Sequence, residues 1–164
     1  MKILETKRLA LRLYNEADTE ALTEMYADID VMRYVGTGKL LTREDAVKSV
    51  NFWNNYHAKK GYANWAVEEK STGRFIGKCG LDDVPELGQT EVSYMFGKAS
   101  WGKGYATESA EAVLEFGLRE LKFEKLMALT YAENFSSQNV LKKIGMVYTD
   151  DVEVWGVMLR RFSS

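Results

Sequence analysis

Hydrophobic and polar residues alternate along several short stretches of this chain, which is the pattern of half-buried β-strands. In residues 8–14, Leu9, Leu11 and Leu13 alternate with Ala10 and Arg12, so a strand is expected there. Similar patterns predict six further strands, over residues 64–69, 74–81, 90–96, 125–131, 146–149 and 152–160. The last two of these strands flank a turn at residues 150–151.

Helical spacing of apolar residues, together with capping residues, predicts five helices. Asn15, followed by Asp18 three residues later, is expected to cap the first helix. Thr42 and Asp45 resemble a capping box, and Gly61 is a suitable end for the helix that they open. These signals predict helices over residues 15–26, 31–34, 42–60, 104–122 and 136–144.

The predicted order of elements is β-α-α-α-β-β-β-α-β-α-β-β. Only the strand–helix–strand unit over residues 90–131 implies a parallel, right-handed crossover. The order therefore indicates a mixed α/β protein (α+β type) with a central, mostly antiparallel sheet of about seven strands flanked by helices. Because Pro85 is the single proline and no linker composition appears, one domain over residues 1–164 is expected.

Composition and charge narrow the possible classes of function. The formal net charge of −2 does not favour nucleic-acid binding through bulk electrostatics. No apolar run approaches the roughly 20 residues of a membrane span, and the N-terminus does not read as a signal peptide. The single cysteine, Cys79, fits a cytoplasmic protein. One cysteine and one histidine, His57, provide no recognisable metal-ligand set, so no metal is expected.

The stretch with the clearest chemical signal is residues 91–108, EVSYMFGKASWGKGYATE. A strand leads into a loop containing Gly97, Gly102 and Gly104, and a helix begins immediately after it. Helix N-termini leave N–H groups unpaired, and glycines allow the backbone to approach a ligand closely. The expected ligand is therefore a phosphate or pyrophosphate.

Two other phosphate-binding motifs fit this loop less well. The dinucleotide motif G-x-G-x-x-G fails because Thr107 stands where the third glycine is needed. The P-loop motif matches Gly97, Gly102 and Lys103, but Gly104 follows where a magnesium-binding Ser or Thr is required. ATP binding is therefore a weak alternative.

Two sequence blocks resemble a known family. Residues 101–108, WGKGYATE, are similar to the W-G-x-G-Y-A-T-E pattern of the RimJ/RimL-like subgroup of GNAT N-acetyltransferases. Residues 91–94 resemble the E-I-G-Y of that subgroup, with Ser93 replacing glycine. Residues 134–146, NFSSQNVLKKIGM, resemble the second block of the family. The blocks occur in the family's order, and the resemblance covers nearly the whole chain.

The resemblance implies the GNAT acyl-CoA N-acyltransferase fold, with the sheet splayed at the cofactor, and acetyl-CoA as co-substrate. The cofactor's pantetheine arm is expected between strands 90–96 and 125–131. The residues that the resemblance assigns to cofactor binding are Met95, Phe96, Gly97, Trp101, Gly102, Lys103, Gly104, Tyr105, Ala106, Thr107, Asn134, Ser137, Lys142 and Lys143.

The implied reaction is the direct attack of an amine on the thioester. Glu91 is the candidate general base, acting through a water. Many family members place a tyrosine as general acid where Leu141 stands here. Ser137 is therefore the candidate on the thiolate side, with Tyr94 and Tyr131 as further candidates.

The acceptor is left open between a protein N-terminal α-amine and a small-molecule amine. A different class of function, a CoA-binding sensor or interaction module without turnover, is the alternative that the missing tyrosine leaves in place. The resemblance also implies a possible homodimer, although no apolar stripe indicates an interface. No nucleic-acid or membrane partner is expected.

Overall fold

A single eight-stranded sheet organises the protein in a computed structural model that describes residues 1–164. The strands are β1 (Lys2–Glu5), β2 (Leu9–Arg12), β3 (Asn64–Glu69), β4 (Arg74–Val84), β5 (Gln89–Phe96), β6 (Met127–Thr130), β7 (Val147–Val154) and β8 (Val157–Ser163). The helices are α1 (Asp18–Ala27), α2 (Ile29–Met32), α3 (Arg43–Lys60), α4 (Tyr105–Arg119) and α5 (Phe135–Lys143). Short 3-10 turns cover Pro85–Leu87 and Lys98–Ser100.

The spatial order of the strands is β1-β2-β3-β4-β5-β6-β8-β7. All neighbouring pairs are antiparallel except β5 and β6. These two parallel strands share only one pair, Glu91 opposite Met127, so they diverge beyond it. The predicted mixed α/β fold with a splayed, mostly antiparallel sheet is confirmed. The sheet has one strand more than expected because the short N-terminal strand β1 pairs with β2.

The helix starts show where capping signals predict structure and where they fail. The capping box of α3 is confirmed, because Asp45 accepts from the Thr42 N–H at 2.8 Å and Thr42 Oγ1 accepts from the Asp45 N–H at 3.3 Å. The prediction that Asn15 caps α1 is wrong. The buried carboxylate of Asp18 instead accepts from the Asn15 N–H at 2.8 Å and from the Arg12 guanidinium at 2.8 Å.

The C-terminal hairpin turns later than predicted. Asp150 and Asp151 lie within β7, and the chain reverses at Trp155 and Gly156. Both of these residues have positive φ, 54° and 77°, which suits a two-residue hairpin turn. Asp150 stays in the strand because it forms an ion pair with Arg161 on β8 at 2.6 Å.

The two faces of the central strands serve different purposes. On β4, Cys79 is buried against Ser109 of α4. Lys78, the preceding residue, lies over the rings of Tyr26 and Trp53 from α1 and α3. Because consecutive strand residues point to opposite faces, α4 covers one face and the helical pair α1–α3 covers the other. No helix of this fold combines the length and the apolar character that crossing a bilayer requires.

Candidate active site

A cavity of about 820 Å³ opens where β5 and β6 diverge. It is bounded by the chain after α2, by β5 and β6, by the first turns of α4 and α5, and by the tip of the β7–β8 hairpin. Most of the residues predicted to form the site line this cavity: Glu91, Tyr94, Met95, Phe96, Trp101, Gly102, Gly104, Tyr105, Ala106, Thr107, Asn134, Ser137 and Lys143. Gly97, Lys103 and Lys142 do not line it.

The N-terminus of α4 presents a row of free backbone donors. None of the six consecutive N–H groups of residues 102–107 donates a hydrogen bond within the protein. Gly102 and Gly104 have φ of 74° and 79°, a left-handed conformation that glycine adopts without steric cost. Six free donors at the positive end of a helix suit the pyrophosphate of acetyl-CoA.

Glu108 fixes this loop to the beginning of the chain. Its carboxylate accepts hydrogen bonds from Thr6 Oγ1 at 2.6 Å, the Arg8 N–H at 2.8 Å and Arg8 Nε at 2.6 Å. Arg8 Nη1 also donates to the Lys103 carbonyl at 2.7 Å. The glutamate that ends the WGKGYATE motif therefore holds the loop in place. Sequence reasoning missed the role of Arg8, because nothing in the sequence links it to a residue 100 positions away.

The main chain of β5 offers fewer free groups than predicted. The Gly97 N–H donates to the Ile76 carbonyl at 3.1 Å, so Gly97 faces β4 and turns away from the cavity. The Phe96 carbonyl accepts from Trp101 Nε1 at 2.9 Å. Because main-chain groups alternate sides along a strand, the groups that face the gap belong to Tyr94 and to the Phe96 N–H.

Asn134 lies at the start of α5 and caps it. Its Oδ1 accepts from the Ser137 N–H at 3.2 Å. This bond leaves the Asn134 amide NH₂ available to a ligand in the cavity. Of the predicted lysines Lys103, Lys142 and Lys143, only Lys143 lines the cavity. On the glycine loop, Lys98 is held by Asp30 in an ion pair.

Glu91 is the most perturbed carboxyl group of the cavity. It is 8% exposed and accepts no hydrogen bond from the protein. Burial, reinforced by the nearby Asp82, raises the pKa of Glu91 to about 8. Asp82 lies directly opposite Glu91 across β4 and β5, and burial raises the pKa of Asp82 to about 6 although Lys78 opposes the shift. A carboxyl group with a pKa near neutrality is suited to proton transfer.

Ser137 and Tyr94 form a hydroxyl pair on the α5 side of the cavity. The Tyr94 hydroxyl and Ser137 Oγ are 2.7 Å apart, and the Tyr94 hydroxyl also donates to the Ser137 carbonyl at 3.1 Å. Burial raises the pKa of Tyr94 well above its usual value. Leu141 is buried at the position of the usual family tyrosine. Tyr131 instead donates to the Gly36 carbonyl at 2.6 Å.

Several polar residues of the cavity wall were not among the predicted site residues, and three of them lie together on the central strands: Asp82, Asn64 and Ser93. Asp82 is the first of two consecutive aspartates on β4, and the second, Asp83, accepts hydrogen bonds from Tyr62 and Thr90 instead. Asn64 carries no sequence signal, since it simply begins β3.

A sheet that opens at one parallel pair, a helix N-terminus with free donors and a buried carboxyl group between them define an acyl-CoA-dependent transferase. The chain belongs to the acetyltransferase (GNAT) domain family, whose family model matches residues 8–147. It is an acetyl-CoA-dependent acyltransferase. The residues present fit the co-substrate, because the free backbone N–H groups of residues 102–107 can hydrogen-bond its pyrophosphate.

The chain is similar to a curated protein and to solved structures over most of its length. The chain is 37% identical to the uncharacterized protein YkkB of Bacillus subtilis, over 93% of this chain and 89% of YkkB. A GNAT-family acetyltransferase structure from Bacillus anthracis has a TM-score of 0.84 and 27% identity, covering 100% of this chain and 98% of that one. The ribosomal-protein α-N-acetyltransferase RimL, solved with coenzyme A, shares the fold with a TM-score of 0.82 at 14% identity, over 100% of this chain and 97% of that one.

Proposed function

We propose that this protein is a RimJ/RimL-like N-acetyltransferase that acetylates a primary α-amine, with Glu91 as its general base. The observation that carries the proposal is the Glu91 carboxyl group, which is buried, unpaired and placed at the last pair before β5 and β6 diverge. The helix N-terminus at residues 102–107 and the hydroxyl pair of Tyr94 and Ser137 line the same cavity.

Each of these groups has a defined task. Acetyl-CoA supplies the acetyl group as a thioester, and the transfer exchanges a carbon–sulfur bond for a carbon–nitrogen bond. The acceptor ammonium loses two protons in total. Glu91 accepts the first, which frees the nitrogen lone pair, and the second replaces the proton that the Tyr94–Ser137 pair delivers to the sulfur. The free N–H groups of residues 102–107 hold the pyrophosphate.

An α-amine matches Glu91 better than a lysine side chain does. An α-amine has a pKa of about 8, whereas a lysine amine has a pKa of about 10.4. Proton transfer to a carboxylate whose pKa is about 8 is therefore nearly balanced for an α-amine. For a lysine amine it is uphill by roughly 3 kcal/mol. The name of RimL, an α-N-protein acetyltransferase, supports the same acceptor class.

The test is a thiol-release assay with acetyl-CoA and short peptides. One peptide carries a free α-amine and no lysine, and its partner carries an acetylated N-terminus and one lysine. We expect release with the first peptide, and we expect Glu91→Gln to lower kcat by about 100-fold or more. Glu86→Gln, which changes an exposed carboxylate on the turn after β4, is the matched control. Equal rates with both peptides, or full activity in Glu91→Gln, would contradict the proposal.

A further inference from the structure

Glu91 shares its face of the sheet with two further polar side chains, Asp82 and Ser93. Glu91 and Ser93 of β5 lie directly opposite Asp82 and Gly80 of β4. Directly opposed residues point to the same face, with Cβ atoms about 5 Å apart. Asp82, Glu91 and Ser93 therefore form one polar patch, and all three line the cavity.

The two carboxyl groups of this patch have no side-chain partner in the protein. Glu91 accepts no hydrogen bond and forms no ion pair, although it is more than nine-tenths buried. Asp82 forms no ion pair, and the only hydrogen bond to its carboxylate comes from the neighbouring Asp83 N–H. A buried carboxylate without a donor is costly. A buried carboxyl group without a donor beside a second, half-buried one therefore favours a cationic ligand that donates hydrogen bonds to both of them.

Asn64 of β3 orients Ser93 within this patch. Its side chain is 4% exposed and donates from Nδ2 to Ser93 Oγ at 2.6 Å. This orientation leaves Asn64 Oδ1 buried without a donor. It also fixes the Ser93 oxygen as an acceptor of the Asn64 bond, so the Ser93 hydroxyl has further hydrogen-bonding capacity on the cavity side. Ser93 replaces the glycine of the family pattern, so this hydroxyl is a feature of this chain.

We propose that Asp82, Glu91 and Ser93 form a seat for the ammonium group of the acceptor, and that this seat selects unsubstituted primary ammonium groups. Asn64 is a positioning residue that acts through Ser93. A primary ammonium has three N–H donors, one for each of the three side chains, whereas an N-methylated amine has only two. Gly80, opposite Ser93, allows the backbone just before β3 to approach β4 closely, since a Cβ at Gly80 would lie 1.9 Å from the Ala63 carbonyl oxygen.

The inference rests on the proposed function but can be tested without turnover. Calorimetry on the protein saturated with CoA, which carries no acetyl group, measures the binding of alaninamide and of N-methylalaninamide. We expect alaninamide to bind at least about 10-fold more tightly than its N-methyl analogue. Asp82→Asn is expected to weaken alaninamide binding by about 10- to 100-fold, and Ser93→Ala by a smaller factor.

The controls separate the seat from the rest of the site. Both variants should bind CoA as the unmodified protein does, and Glu86→Gln should bind alaninamide normally. In turnover, Asp82→Asn should raise KM for the amine more than it lowers kcat. Equal affinity for the two amines, normal alaninamide binding in Asp82→Asn, or no binding of either amine would overturn the inference. Tight, selective binding without any thiol release would leave the seat standing and refute the proposed acetyl transfer instead.

Discussion

The buried Glu91 carboxyl makes stability depend on pH in a way that one substitution can isolate. Its pKa lies at about 8 in the folded protein, against an ordinary value of 4.5. A carboxyl group with a raised folded pKa contributes fully to stability below its unfolded pKa. That contribution is lost as pH rises towards the folded pKa, because the unfolded chain ionises more easily. The stability contribution of Glu91 is therefore lost over the range from about pH 4.5 to about pH 8.

Glu91→Gln removes this titration and keeps the shape of the side chain. At about 1.4 kcal/mol per pKa unit, the stability of the variant relative to the unmodified protein should rise by roughly 3–5 kcal/mol between pH 5 and pH 9. In a chain of this size, that corresponds to a relative shift in Tm on the order of 10 °C.

Urea unfolding without ligand, at pH 5, 6, 7, 8 and 9, measures this difference directly. Comparing two proteins at each pH cancels the titration of all groups that they share. Glu153→Gln, which alters an exposed carboxylate on β7, should show no comparable trend. Replacing Asp82 with Asn should lower the pKa of Glu91, because Asp82 contributes to raising it. The pH range over which Glu91 lowers stability should then be narrower. A Glu91→Gln difference that stays constant across this pH range would refute the reasoning.

Three further predictions concern the site. Gly104→Ala should weaken the thermal stabilisation by acetyl-CoA, because a side chain at φ 79° is strained and its Cβ would lie 3.4 Å from Arg8 Nη2. Gly88→Ala, at φ 60° and with no atom within 4 Å of the added Cβ, is the control, and equal responses of the two variants would count against the loop. Ser137→Ala and Tyr94→Phe should each lower kcat in a thiol-release assay by about 10- to 100-fold, and the double variant should lose little more; fully additive losses would mean that the hydroxyls act separately. In the same assay, kcat/KM should fall by about 10-fold per pH unit below about pH 8, because protonated Glu91 is not a base, and a flat profile would exclude this role.

Much of the fold could be predicted because the decisive signals are local. Thr42 and Asp45 lie three residues apart and cap α3 as their spacing indicates. The same kind of signal failed at Asn15, because the Asp18 carboxylate is shared with Arg12 of the neighbouring strand. It failed again at residues 150–151, where the ion pair with Arg161 keeps Asp150 in a strand.

The candidate site likewise has a part that depends on local sequence signals and a part that depends on long-range strand pairing. The glycine loop could be predicted, because the motif and the helix N-terminus that it opens are contiguous. The patch around Glu91 could not, because Asp82 and Asn64 reach it from β4 and β3 through sheet register. Only the pairing of strands shows that Asp82 faces the cavity, whereas Asp83 accepts a hydrogen bond from the Tyr62 hydroxyl.

The contact between Glu108 and the N-terminal residues has a consequence for folding kinetics. Thr6 and Glu108 are separated by 102 positions, so their meeting closes a loop that spans most of the chain. Closing so long a loop costs entropy that must be met before the contact stabilises anything. Contacts of such long range are characteristic of slow steps. We therefore expect the row of free N–H groups to be fixed in place late in folding, and the chain to gain its full affinity for acetyl-CoA only when the segment between β1 and β2 has docked.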